Sequence, residues 1–305
     1  MLVDVHQHLW TEPFVAALTR RRALPLVRRE RGGTTLHLAG EPPCAISVDD
    51  PAARTALLDA DGVDVALVVP SSPLGIDGLD PGVARELLAA HAEGVRAFGP
   101  RFARWGAVPL AEPDAADVDR ELGDGAIGLC LPAGAFHDPR DLDRLDPLLA
   151  RLAARDAPLF VHPGPSPWGS PAPAGPLGPA WWPALTTYVA QMQRAWLVIV
   201  TEGQQRHPRL RTLFALAAGG GLLQAERLAA RGGPAVDPGD ARLFYDTSSY
   251  GPSALAALGV SGAQLIHGSD RPVTPPQTPP SPARAGDAPA RLLGSHVPSI
   301  PTVTA

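Results

Sequence analysis

Asp4-Val-His6-Gln-His8 places two imidazoles two residues apart near the start of the chain. On an extended strand alternate side chains share a face, so His6 and His8 can converge on one point and grip a divalent cation. Alone, the pair equally describes two histidines hydrogen-bonded at a strand end. Two further residues change its meaning. His162 ends an apolar run in Leu-Phe-Val-His-Pro-Gly, and Asp270 follows another in Leu-Ile-His-Gly-Ser-Asp-Arg-Pro. Two or three imidazoles, one carboxylate and one position left for water make a catalytic set rather than a closed structural one. The chain has no lysine, so no carbamylated lysine can bridge two ions. The expected centre therefore holds one divalent metal, with zinc foremost and manganese or iron able to use similar ligands.

Such a cluster needs strands that end on one rim. Eight short runs rich in Val, Ile and Leu recur: Leu2–His6, Val63–Val69, Ala103–Val108, Ala126–Leu131, Pro158–Val161, Leu210–Leu216, Ala241–Tyr245 and Gln264–His267. Helical patterns separate many of them, with Leu and Ala at spacings of three and four: Pro81–Gly94, Asp114–Leu122, Arg140–Ala154, Pro183–Val200 and Leu222–Arg231. This alternation predicts an α/β fold, a (β/α)8 TIM barrel over residues 1–272, with its site at the carboxyl ends of the strands. Closure would bring the first strand beside the eighth, and hence His6 and His8 beside Asp270.

Three segments interrupt the repeat. Residues 20–50 form an insertion after the first strand, where Thr34–Leu38 and Ala45–Val48 predict a small hairpin by the mouth. Residues 163–183, crowded with Pro, Gly and Trp, predict a stiff lid-like loop. Residues 273–305 are Pro-rich and are expected to be loosely ordered, with Ala288–Leu293 the remnant of a last helix.

Composition narrows the function. The net charge of −5 argues against nucleic acid or an anionic membrane as partner, which leaves small molecules and, potentially, further copies of the chain. Two cysteines, Cys44 and Cys130, are no disulfide framework, and no targeting or membrane-spanning segment is apparent, so a cytoplasmic location is expected.

Taken together, Asp4-Val-His6-Gln-His8, Phe-Val-His162-Pro, His207-Pro-Arg-Leu, Phe-Tyr-Asp246-Thr-Ser and Gly-Ser-Asp270-Arg-Pro resemble the amidohydrolase-related family, which includes the aminocarboxymuconate-semialdehyde decarboxylase group. The resemblance covers about residues 1–272, with the motifs in the family's order. It implies that His6, His8, His162 and Asp270 ligate one divalent metal. It also exposes a departure. In such relatives the sixth strand ends in a histidine before a run of glycines, and here the residue before Gly219-Gly220-Gly221 is Ala218. Alanine moves no proton.

Asp270 is then the expected catalytic group, able to take a proton from a water activated by the cation. His137, beyond the fourth strand, is the other candidate. Arg271 is a candidate for binding a substrate anion or for pairing with a structural acid, Trp168 of the lid-like loop is a candidate for binding substrate, and the Trp181–Trp182 pair reads equally as an apolar pocket wall or as a helix anchor. The remaining histidines, His37, His91, His207, His267 and His296, read as structural or solvated. Asp246 reads equally as facing the mouth or as capping a turn, and the basic cluster Arg20, Arg21, Arg22, Arg28, Arg29 and Arg31 as a solvated face or, more sharply, as an arm that attracts a carboxylate substrate. The expected function is metal-dependent hydrolysis of a small organic substrate. The alternatives are nonoxidative decarboxylation of an aromatic or unsaturated acid at the same site, and a barrel that has lost catalysis but binds.

Overall fold

The computed structural model describes residues 1–169, 178–259, 264–274 and 286–298. Eight parallel strands form one sheet in the order β1 (Val3–Gln7), β5 (Val65–Val68), β6 (Phe102–Gly106), β7 (Ala126–Pro132), β8 (Leu159–His162), β9 (Thr212–Phe214), β10 (Leu243–Asp246) and β11 (Leu265–Ile266). All eight coincide with apolar runs in the sequence. The sheet closes on itself: Val5 N donates to the His267 carbonyl at 2.9 Å, Asp270 N to the His6 carbonyl at 2.8 Å, and His8 N to the Arg271 carbonyl at 2.7 Å. A (β/α)8 barrel results.

Helices return the chain between strands, and local chemistry marks their ends. In α2 (Pro51–Asp61) and α3 (Pro81–Arg96), Asp50 and Asp80 accept first-turn amides and proline occupies the first position. Gly62, at φ 66°, ends α2 in the left-handed conformation that glycine tolerates. Leu142, Leu145, Leu149 and Leu152 of α5 (Asp141–Ala154) are buried on one face, as their spacing requires.

Three expectations change. The insertion is a three-stranded antiparallel meander, β2 (Leu26–Glu30), β3 (Gly33–His37) and β4 (Cys44–Ile46), rather than a two-stranded hairpin. The single helix expected over 183–200 is split at Thr186 into α6 (Trp182–Leu185) and α7 (Thr187–Val198), and α7 runs into a π-helical turn over Ile199–Gly203. The helix expected from Leu222 starts only at Ala225, as α9 (Ala225–Ala230), because a left-handed turn separates it from β9. The terminal remnant exists as α11 (Ala288–Leu293) and buries Leu292 and Leu293. Part of the lid-like loop (170–177) and most of the Pro-rich tail (275–285, 299–305) lie outside the described residues. Among the described residues, no helix is long and apolar enough to cross a membrane.

Candidate metal centre and its cavity

Asp4, His6 and His8 alternate onto the inner face of β1 and its extension, and all three are buried. His162 is the last residue of β8. The Nε2 atoms of His6 and His8 are 3.2 Å apart, and those of His6 and His162 3.1 Å. Asp270 Oδ1 lies 3.4 Å from His6 Nε2 and 3.2 Å from His8 Nε2. The four residues expected from the sequence thus stand together on the rim. Zinc–nitrogen bonds of about 2.0–2.1 Å set neighbouring ligand atoms roughly 3.0–3.4 Å apart, so the spacing suits one ion.

Each imidazole is turned by its other nitrogen. His6 Nδ1 is 2.6 Å from Asp246 Oδ2, His8 Nδ1 is 3.1 Å from the Val69 carbonyl, and His162 Nδ1 is 2.8 Å from the Pro163 carbonyl. These acceptors assign the proton of a neutral ring to Nδ1, which leaves three Nε2 lone pairs facing one another. Lone pairs so arranged repel unless a positive charge lies between them. The titration of His6 shows the same demand: burial pulls its pKa down, but the carboxylates of Asp270 and Asp246 outweigh this and lift it to about 9. At His162, burial and the neighbouring His6 and His8 drive the pKa well below the usual imidazole value. For Asp270 burial acts upward, yet His6 and His8 bring the net shift below the ordinary carboxylate value. The donor set therefore fits a divalent cation.

Several residues hold this arrangement. Asp4 Oδ1 accepts from the amides of His6 (3.2 Å) and Ser269 (3.0 Å), which fastens β1 to the segment after β11. Gln7 donates to Asp4 Oδ2 and accepts from Arg54. Gly268 allows the strands to approach: a Cβ there would lie 3.0 Å from His6 Cβ and 3.1 Å from Asp246 Cβ. Asp270 itself has φ 56°, a costly left-handed conformation for a side chain with a Cβ. Of the two roles left open in the sequence, Asp246 takes the turn-capping one, and it backs His6 without lining the cavity. Its Oδ2 meets His6, while its Oδ1 accepts from Ser248 N and Oγ and from Leu216 N.

A cavity of about 310 Å³ opens over the cluster, lined by His6, His8, His162 and Asp270 together with mainly apolar residues such as Trp10, Leu36, Val189 and Leu216. The other residues expected to serve the site do not line it. His137 is exposed, with Nδ1 3.1 Å from the Arg194 guanidinium. Arg271 turns outward to Asp61 at 2.6 Å, so its charge is committed to an acidic partner. Trp168 donates to the Leu110 carbonyl at 2.7 Å and lies under the Arg144 guanidinium. His207 caps the short helix α8 (Gln204–Arg206) and lies 3.2 Å from Asp146.

The end of β9 is built differently. Leu216, Ala217, Ala218, Gly219 and Gly220 all have positive φ, between 45° and 74°. This turn buries Ala218 in the core and presents Leu216 to the cavity. Alignment on the glycines had pointed to Ala218, since nothing in the sequence signals five successive left-handed residues. Glu41 and Tyr188, which also line the cavity, were missed as well; their meeting depends on where the insertion folds.

Closed barrel and rim-borne cluster define the class of protein: a (β/α)8 barrel with a three-histidine, one-carboxylate site at the carboxyl ends of its strands. No protein-family model matches the sequence, and neither does any curated protein. Solved structures do match. IDCase from Metarhizium anisopliae, in its apo form, is similar with a TM-score of 0.73 at 18% identity, over 97% of this chain and 95% of that one. 5-Carboxyvanillate decarboxylase from Novosphingobium aromaticivorans, complexed with manganese and 4-hydroxy-3-methoxy-5-nitrobenzoic acid, matches with a TM-score of 0.65 at 16% identity, over 89% and 86%. 2,6-Dihydroxybenzoate decarboxylase from Rhizobium matches with a TM-score of 0.65 at 17% identity, over 96% and 99%. The chain shares their fold across nearly its whole length.

Proposed function

We propose that the protein is a divalent-metal-dependent, nonoxidative decarboxylase of a small aromatic or unsaturated carboxylic acid, of the amidohydrolase-related kind. The observation that carries this reading is Asp270, a carboxylate that faces the Nε2 atoms of His6 and His8 and also lines a mainly apolar cavity. Decarboxylation needs one proton delivered to the carbon that loses carbon dioxide. Hydrolysis, the expectation from sequence, needs water activated for attack as well as a proton relayed from it to the leaving group, and the end of β9 offers Leu216, which cannot help to activate water. The names of the structural neighbours favour the same choice.

His6, His8, His162 and Asp270 would hold the ion, which when bound supplies a positive charge for the substrate carboxylate. Asp246, Val69 and Pro163 fix the imidazoles, so the site does not reorganise when the anion arrives. Asp270 borders both cluster and cavity; as a carboxylate it can accept a proton from a substrate hydroxyl or from water and then pass it to the reacting carbon. The carbon–carbon bond breaks as the new C–H bond forms, and carbon dioxide leaves. Apolar walls disfavour the anion relative to neutral carbon dioxide, which works in the direction of the reaction.

The test is a panel of aromatic and unsaturated acids, alongside amides, esters and lactones, supplied to protein loaded with manganese or zinc. Release of carbon dioxide, abolished by chelation and by His6→Ala, is the expected result. Cleavage of the neutral panel with oxygen from water entering the product would overturn the reading in favour of hydrolysis. Metal binding without turnover of either panel would leave only a binding role.

A further inference from the structure

The cavity has a second polar position, where the insertion meets a barrel helix. Glu41, in the loop between β3 and β4, and Tyr188, on α7, both line it. The Tyr188 hydroxyl donates to Glu41 Oε1. Burial, reinforced by the Glu41 charge, raises the phenol's pKa, so Tyr188 remains a donor. Among the described residues, Glu41 makes no ion pair with the cluster histidines. Leu36 and Leu38 of the same meander, with Trp10, Val189 and Leu216, supply apolar wall.

The charges here have one sign. Among the described residues no arginine lines the cavity, and the chain has no lysine, so the carboxylates of Asp270 and Glu41 are the formal charges these residues give it apart from the histidines and any bound cation. A ligand carboxylate therefore finds a counter-charge only at the cluster. Tyr188 occupies one acceptor site of Glu41, and a carboxylate offers about four. The remainder can accept a hydroxyl or amino proton from a ligand in a charge-assisted bond. A second carboxylate on the ligand would instead meet a like charge in apolar surroundings.

We propose that Glu41, held in place by Tyr188, is a specificity-determining residue that selects monocarboxylic acids carrying a hydroxyl or amino donor away from the carboxylate, and rejects dicarboxylic acids. The volume, at the small end of the roughly 300–1,000 Å³ usual for ligand pockets, suits a single ring. The inference rests on the decarboxylase reading only in placing the ligand's carboxylate at the cluster.

Equilibrium binding, which involves no turnover, tests it. The manganese-loaded full chain is titrated calorimetrically with benzoate, 3- and 4-hydroxybenzoate, 3- and 4-aminobenzoate, isophthalate and terephthalate. At least one hydroxy or amino acid is expected to bind roughly tenfold or more tightly than benzoate, and both dicarboxylates more weakly than benzoate. Glu41→Gln should shrink the donor preference and lift the penalty on the dicarboxylates. Tyr188→Phe, which removes the positioning bond and keeps the ring, should shrink the preference less. Metal content and circular dichroism check that both variants are folded. Equal binding of benzoate and all donor acids, tight binding of either dicarboxylate, an unchanged order in Glu41→Gln, or binding of none of the seven acids would overturn the proposal. Selective binding without release of carbon dioxide would sustain Glu41's role and remove the decarboxylase reading.

Discussion

The junction of β1 with β11 and the end of β9 belong to one rim, yet they treat polarity in opposite ways. At the junction, His6, His8, Asp4 and Asp270 are buried and tied by hydrogen bonds to one another's backbones. At β9, five left-handed residues remove the chain from the strand path and leave Leu216 as the face toward the cavity. Both places carry backbone strain, at Asp270 and at Leu216 to Ala218. In one the strain aims a carboxylate, and in the other it supplies an apolar wall. The junction thus carries polar side chains where the end of β9 carries an apolar wall.

The largest test of that contrast is Asp270→Asn. With the proposed proton carrier removed and only Leu216 at the end of β9, turnover should fall by about 10²–10⁴-fold, measured as carbon dioxide release. A loss below tenfold would mean that another group carries the proton. Next is Asp246→Asn, which weakens the acceptor at His6 Nδ1 and should reduce metal affinity by about 10–100-fold in competition with a chelator. Leu216→Ala, a change in the apolar wall, should leave metal affinity within about threefold, because the Leu216 side chain offers no ligand atom.

A third effect is pH dependence. In the metal-free chain the folded-state pKa of His6, about 9, lies above the usual 6.5. Its imidazolium therefore contributes stability that is fully present below pH 6.5 and lost as pH rises through 9. A cation must displace that proton, so metal affinity should climb across this window by at most about tenfold per unit for one proton released. Titrations at pH 6.5, 7.5 and 8.5 measure the slope, and a flat profile would contradict a protonated His6.

The smallest effect separates conformation from packing at β9. Gly219 and Gly220 both have left-handed φ, but a Cβ on Gly219 would lie 2.9 Å from the Val189 carbonyl, whereas one on Gly220 meets only Leu223 at 3.8 Å. Gly220→Ala should cost about 1–2 kcal/mol of stability, and Gly219→Ala more by roughly 1 kcal/mol or above, read from urea unfolding. Equal costs would show that α7 yields freely.

What the sequence revealed follows the same division. All eight barrel strands were legible because strands buried on both faces are rich in apolar residues, even where Asp4, His6 or Arg104 interrupts the run, and Ala288–Leu293 was legible as a helix. His6, His8, His162 and Asp270 stood out because each ends such a run. Strand β2 was hidden by Arg28 and Arg29, which read as a solvated basic face although the backbone pairs with β3. His137, Arg271 and Trp168 had the right addresses along the chain, but their orientation depends on Arg194, Asp61 and Leu110, partners distant in sequence. Leu216 was hidden by its backbone, since a left-handed turn changes which residue faces inward without altering the composition.

β11 contributes only two residues of regular strand, and much of the seam beside it is stitched by Asp4, His6, His8 and Asp270 themselves. The cylinder is thus fastened by the groups that would do its chemistry. Injury to one of them loosens the join as well as the reaction, so amide exchange at Val5 and His8 should accelerate in the same variants that fall silent. Activity lost with those amides still protected would be a chemical defect alone.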